Sequence, residues 1–132
     1  MSRRALLDTS VLIGAESGRP MDLPRIPGDG LLSVVSLAEL HAGVLAADDI
    51  DIRAQRLTTL NGVNDIELIG IDEPTALMWA RMRVHLARSG RRLNVNDLWI
   101  AASAASRGLP VMTQDNDFAA LEGVGGLQVI RV

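Results

Sequence analysis

Short apolar runs alternate along this chain with longer segments of helical period. Ala5, Leu6 and Leu7 form a first buried strand over 4–8, ending in the carboxylate of Asp8. Thr9 or Ser10 is placed to cap a helical turn through Val11, Leu12 and Ile13. The segment 18–30, with Pro20, Pro24, Pro27 and Gly28, reads as a loop. A second strand over 31–35 leads to Ser36 as the cap of a helix over 37–47. Leu37, Leu40, Val44 and Leu45 share one face of it. A more polar helix over 48–61 turns Ile52, Leu57 and Leu60 inward.

The pattern continues with a third strand over 66–71. Asp72, Glu73 and Pro74 start a helix, and Arg88, Ser89 and Gly90 stop it. That helix has two apolar stripes. One is Leu77, Ala80 and Val84; the other is Trp79, Met82 and Leu86, assigned here to a subunit or partner contact. A helix over 94–107 ends at Gly108, followed by a strand over 109–113, a short helix over 117–121 and a strand over 127–131. Strands that alternate with helices predict an α/β sandwich around a mostly parallel sheet, with 1–132 as one domain. Ligands of such sheets bind beyond the carboxyl ends of the strands, where Asp8 and Asp115 fall.

Composition narrows the chemistry. All thirteen basic residues are arginine, and the chain has no cysteine or tyrosine. The absence of lysine excludes a phosphate loop of the GK[ST] type and a Schiff-base mechanism. It also disfavours receiver-type phosphoacceptors and haloacid-dehalogenase-type phosphatases; the latter need D-x-D where this chain has Asp8-Thr9-Ser10. Without cysteine there are no disulfides or thiolate zinc sites, which suits the cytoplasm. Trp79, Trp99 and Phe118 are too few to stack bases as RNA-binding sheets do. A net charge of −3 argues against a simple cationic nucleic-acid binder. No signal peptide follows the first arginines, and no charge-free stretch approaches the ~18 residues of a membrane span.

Five acids stand in apolar company: Asp8, Glu39, Asp97, Asp115 and Asp117. Each also fits a structural role. Asp8 suits a helix cap, Asp97 a first helical turn, Glu39 a narrow solvent stripe, and Asp115 and Asp117 a turn around Asn116. Jointly they make a different case. Carboxylates gathered at one sheet edge repel each other, lose hydration and take up protons unless a cation intervenes. Oxygen ligands with few histidines favour Mg²⁺ or Mn²⁺ over zinc. Such a centre suits phosphodiester hydrolysis. His41 and His85 read as packing or surface residues, since no G-x-S-x-G elbow supports a hydrolase triad.

Four segments carry a resemblance. Leu6-Leu7-Asp8-Thr9-Ser10, Ser36-Leu37-Ala38-Glu39-Leu40, Asn96-Asp97-Leu98-Trp99-Ile100-Ala101-Ala102 and Thr113-Gln114-Asp115-Asn116-Asp117-Phe118 resemble the motifs of PIN-domain ribonucleases. Their order and the chain's length are similar to the VapC-type toxins of bacterial toxin–antitoxin pairs. The resemblance implies a three-layer α/β/α sandwich with four to five strands, and a Mg²⁺-dependent endoribonuclease. It implies a catalytic set of Asp8, Glu39, Asp97 and Asp115, with Asp8, Asp97 and Asp115 on the metal and Glu39 on the attacking water. Thr9, Thr113 and Asp117 would support them. RNA substrates (often transfer RNA), a cognate antitoxin and a homodimer are implied as partners. A non-catalytic PIN-like module that binds RNA or protein is the alternative. Arg81, Arg83, Arg88, Arg91 and Arg92 read either as a solvated helix face or as a rim for RNA phosphates. Arg3 and Arg4 lie beside the first strand.

Overall fold

The computed structural model describes residues 4–132, so Arg3 lies outside the described residues. Five parallel strands form one sheet in the order β3-β2-β1-β4-β5. They are β1 (Leu6–Leu7), β2 (Leu31–Ser33), β3 (Glu67–Ile69), β4 (Val111–Thr113) and β5 (Val129–Arg131). Five helices connect them: α1 (Thr9–Glu16), α2 (Val34–Ala46), α3 (Ile50–Gly62), α4 (Glu73–Arg88) and α5 (Val95–Ser106). The expected α/β sandwich is therefore present, with every strand pair parallel.

Strand register explains the layers. Leu6 pairs with Leu31 and Val111, and Val111 with Val129, so these side chains share one face. That face packs under α5 and α4 through Leu98, Ile100, Ala101, Met82, Leu86 and Phe118. Leu7, Leu32 and Met112 point the other way. Leu32 meets Leu40, Leu60 and Val63 from α2 and α3 and the turn that follows, while Leu7 and Met112 are covered by Ile26 of the long loop. Helix α5 is buried from Leu98 to Ala104 apart from the half-buried Trp99; its alanines let it lie close to both sheet and α4.

The amino ends of α4 and α5 are set by side chains. Asp72 caps α4 by accepting from Thr75 N and Thr75 Oγ1, and Asn94 caps α5 by accepting from Asn96 N. Arg107, just after α5, donates to Gly70 O and Ser103 O and so ties β3's exit to α5.

Several expected details shift. The second helix begins at Val34, because Ser33 rather than Ser36 caps it by accepting from Val35 N. Likewise Asp8, not Thr9 or Ser10, caps α1. Ile52 and Leu57 are exposed; only Leu60 of that trio turns inward, since the polar helix touches the core at its last turn. On α4 the assignment of the stripes is reversed. Met82 is 0% and Leu86 6% exposed, with Trp79 packed against the same core, whereas Leu77 is 66% and Val84 47% exposed. The aromatic-containing stripe is core because it faces α5; the smaller stripe faces solvent.

Phe118 → Ala removes a fully buried ring from the larger core and should cost about 3–5 kcal/mol in urea unfolding. Leu77 → Ala, on the exposed stripe, should stay within about 0.5 kcal/mol of the parent. Equal losses would contradict the burial pattern.

Candidate active site

The carboxyl ends of β1 and β4 and the first turn of α5 converge on a cleft of about 270 Å³. Asp8, Thr9, Ser10, Ile13, Arg19, Glu39, Asn94, Asp97 and Asp115 line it. All four principal acids expected from the sequence are thus brought together from positions far apart in the chain. A larger concavity, about 830 Å³, lies by Arg4, Pro24, Arg25 and Met112; of acids it holds Asp29 alone.

Asp8 is 2% exposed, held by the ladder through its amide to Met112 O at 2.8 Å. Its Oδ2 accepts from Thr113 Oγ1 at 3.0 Å and from Ser10 N at 3.4 Å. Thr113 Oγ1 in turn accepts from the Asp115 amide at 3.0 Å and lies 3.1 Å from Ser10 Oγ. One buried hydroxyl therefore spaces Asp8 from the start of the Asp115 turn. Asp8 Oδ1 is buried with no hydrogen-bond partner. Leaving such an oxygen unmet costs about 1–3 kcal/mol, more for a charged group.

Across the cleft, Thr9 donates to Glu39 Oε1 at 2.8 Å, and its oxygen lies 2.7 Å from Ser36 Oγ. Ser36 is fully buried on α2 one turn before Glu39, so the helix fixes both. Thr9 and Thr113 stand where hydroxyl supports were expected. Ser10 and Ser36, read from the sequence only as helix caps, join the same network instead.

The electrostatics follow from this crowding. Burial pushes the Asp97 carboxyl up to about 7, with Asp8, Glu39, Asp117 and Asp115 adding repulsion. Its place in the first turn of α5 works the other way, but a helix dipole contributes only ~0.3–1 kcal/mol, less than one pKa unit. Burial also raises Asp8, against the lowering effect of the Ser10 and Thr113 hydrogen bonds. Asp115 is raised by burial and by Asp8 and Asp117, while Arg19 and Arg131 pull it down.

The remaining candidates sit outside the cleft wall. Asp117 is exposed at the start of a short 3-10 turn (Asp117–Leu121) and acts on Asp97 and Asp115 by charge. Arg83 stacks over the Trp79 ring at 5.8 Å, and with Arg91 and Arg92 lines a separate concavity between α4 and α5. Arg81 and Arg88 are exposed on α4 and line neither. Among the described residues, Arg19, on the loop after α1, is the cation that lines the cleft; the loop sequence gave no sign of it.

The carboxylates surround the cleft without closing into a cage. Among the described residues no three His, Cys, Asp or Glu side chains form a ready-made ion-binding group. A hard cation that keeps several waters needs no such cage. A buried Asp8 oxygen without a partner, in a cleft lined by other carboxylates, fits Mg²⁺ or Mn²⁺ and offers nothing soft for zinc.

Comparison with known proteins agrees with this geometry. Residues 5–124 match the model of the PIN domain family. Ribonuclease VapC5 of Mycobacterium tuberculosis is 60% identical over 127 residues, covering 96% of this chain and 94% of that protein. The tRNA(fMet)-specific endonuclease VapC of Shigella flexneri is 31% identical, covering 93% of each. A crystal structure of VapBC-5, a member of the VapBC family of toxin–antitoxin systems from M. tuberculosis, superposes with a TM-score of 0.91. It shares 55% identity and covers 98% of this chain and 99% of its own. The chain belongs to the PIN-domain family, and within it to the VapC group.

Proposed function

We propose that this protein is a Mg²⁺-dependent endoribonuclease and the toxin of a toxin–antitoxin pair. The observation that carries the reading is Asp8: a buried carboxylate with one oxygen fully engaged and the other unmet, beside an Asp97 whose pKa is pushed up to about 7. A module that only bound RNA or protein would gain nothing from this repulsion. The names of the relatives support ribonuclease chemistry, an antitoxin partner and, from the Shigella protein, a transfer-RNA substrate. Action on cellular RNA places the enzyme in the cytoplasm, and among the described residues no helix is long and apolar enough to cross a membrane.

Asp8, Asp97 and Asp115 would hold the cation, and Mn²⁺ could replace Mg²⁺ there. When bound, the ion supplies charge to polarise the phosphodiester, lower the pKa of water and stabilise the leaving oxygen. Glu39 orients or deprotonates the attacking water; Thr9 occupies one of its oxygens and leaves the second available. Thr113 and Ser10 hold Asp8 in place through Oδ2, so that Oδ1 is the atom presented. Asp117 adds negative charge that draws the cation in. In-line attack leaves a 5′-phosphate and a 3′-hydroxyl.

Asp8 → Asn and Asp97 → Asn should each lower Mg²⁺-dependent RNA cleavage by roughly 10²-fold or more, as loss of a catalytic group does, while melting as folded proteins. Parent-level cleavage by either would contradict the assignment. EDTA should abolish parent activity, and end-mapping should find 5′-phosphates.

Stability carries the same signature. The folded Asp97 holds its proton up to about pH 7, whereas the unfolded chain releases it near 3.8, so the folded state binds more protons between these values. Metal-free protein should therefore lose melting temperature as pH rises from about 4 to 7 through this group. Millimolar Mg²⁺ should restore it at pH 8 and do little at pH 5. Asp97 → Asn should flatten both responses; a pH-independent effect of Mg²⁺ in the parent would count against the site.

A further inference from the structure

Arg19 and Arg131 form a basic shelf beside the acidic cleft. Arg19 lines the cleft itself and also a neighbouring concavity made by Arg19, Pro20, Gln114, Arg131 and Val132. The two arginines therefore join the acid site to a second depression. Both lie near enough to Asp115 to lower its proton affinity, yet neither is within 4 Å of a carboxylate among the described residues.

The shelf is built rather than incidental. The Arg19 amide donates to Gly14 O at 2.9 Å, closing α1, and the Asp22 amide donates to Val132 O at 2.9 Å. Gln114 Nε2 donates to Pro20 O at 3.1 Å, fastening the Arg19 loop to the end of β4. Gln114 Oε1 lies where a Cβ on residue 14 would be, so glycine there lets the loop approach this closely. On the other side, Arg131 is aimed by its own bonds: Nη1 donates to Asn116 Oδ1 at 2.6 Å and Nη2 to Gln114 O at 3.0 Å. A guanidinium has five donor hydrogens, so three remain on Arg131 and the whole set on Arg19. Two unneutralised forks, Arg131 aimed by its own bonds and Arg19 carried on an anchored loop, stand next to a cleft that repels anions and suit a phosphodiester that runs past the cleaved bond.

Resting on the ribonuclease reading, we propose that Arg19 and Arg131 grip the backbone phosphates of single-stranded RNA next to the scissile bond. Gln114 and Gly14 are positioning residues that set the Arg19 loop. The strand thus leaves the cleft across the β4–β5 edge, where the basic residues adjoin the acids directly, rather than by way of the α4 arginines.

Fluorescence anisotropy of a short single-stranded RNA with the full chain in EDTA, at 50 to 200 mM salt, tests this apart from catalysis. Each phosphate contact contributes about 0.7 to the slope of log K against log salt. Arg19 → Gln should reduce that slope by about 0.7, and Arg19 → Gln with Arg131 → Gln by about 1.4. Arg19 → Lys should keep it, as should Arg53 → Gln on α3. In cleavage with Mg²⁺, Arg19 → Gln should raise KM about tenfold with kcat within twofold. Should the parent bind RNA with these slopes but cleave none, the shelf stands and the ribonuclease reading falls. If the parent cleaves while Arg19 → Gln and the double variant keep the parent slope, the shelf is overturned and the ribonuclease reading stands. Absence of RNA binding by the parent overturns the shelf, and absence of cleavage with Mg²⁺ as well overturns both.

Discussion

Repulsion among carboxylates is the constraint around which this protein is arranged. Folding brings Asp8, Glu39, Asp97 and Asp115 from four separate parts of the chain to one cleft. Water would hold them apart; the sheet and α5 hold them together. Burial, with this repulsion added, gives an Asp97 that keeps its proton to about pH 7, and one Asp8 oxygen is left without a partner. The rest of the structure supplies the rigidity that such a cluster demands. Buried central strands fix Asp8 through the backbone ladder, and the core-facing side of α5 fixes Asp97.

Hydroxyl groups divide the labour inside the cluster. Thr113 and Ser10 serve Asp8, and Thr9 and Ser36 serve Glu39. Each of these pairs joins elements that are distant in sequence, so the site and the packing of α1 against β4 and α2 are one arrangement. The serines and threonines that satisfy the acids also register the helices. Arginines then complete the surroundings from outside: Arg19 and Arg131 temper Asp115 without neutralising it.

Much of this was legible in the residues. Alternating apolar runs and helical periods located the five strands and five α-helices, because the central strands β1, β2 and β4 are buried and mostly apolar. Acids stood out for the converse reason: a carboxylate flanked by Leu6 and Leu7, or by Leu98 and Ile100, stands beside core residues rather than in a polar surface run. Helix starts were less readable. Ser33 and Ser36 are equally good caps by type, and which one acts depends on where the sheet stops pairing with β3. The two α4 stripes were likewise equivalent in sequence; only the position of α5 decides that Met82 and Leu86 are core and Leu77 is not. Arg19 was hidden because its place is set by Gln114 and Pro20, contacts ninety-four residues apart in the chain.

The central claim is that the unmet Asp8 oxygen belongs to a cation. Anomalous diffraction from crystals soaked in Mn²⁺ at pH 8 tests it most directly. A single strong peak is expected within coordination distance of Asp8 Oδ1, roughly 2.0–2.6 Å as for hard cations on oxygen, with Asp97 or Asp115 reaching it directly or through water. A cleft without a peak at saturating Mn²⁺, or a cation bound away from Asp8, would contradict it.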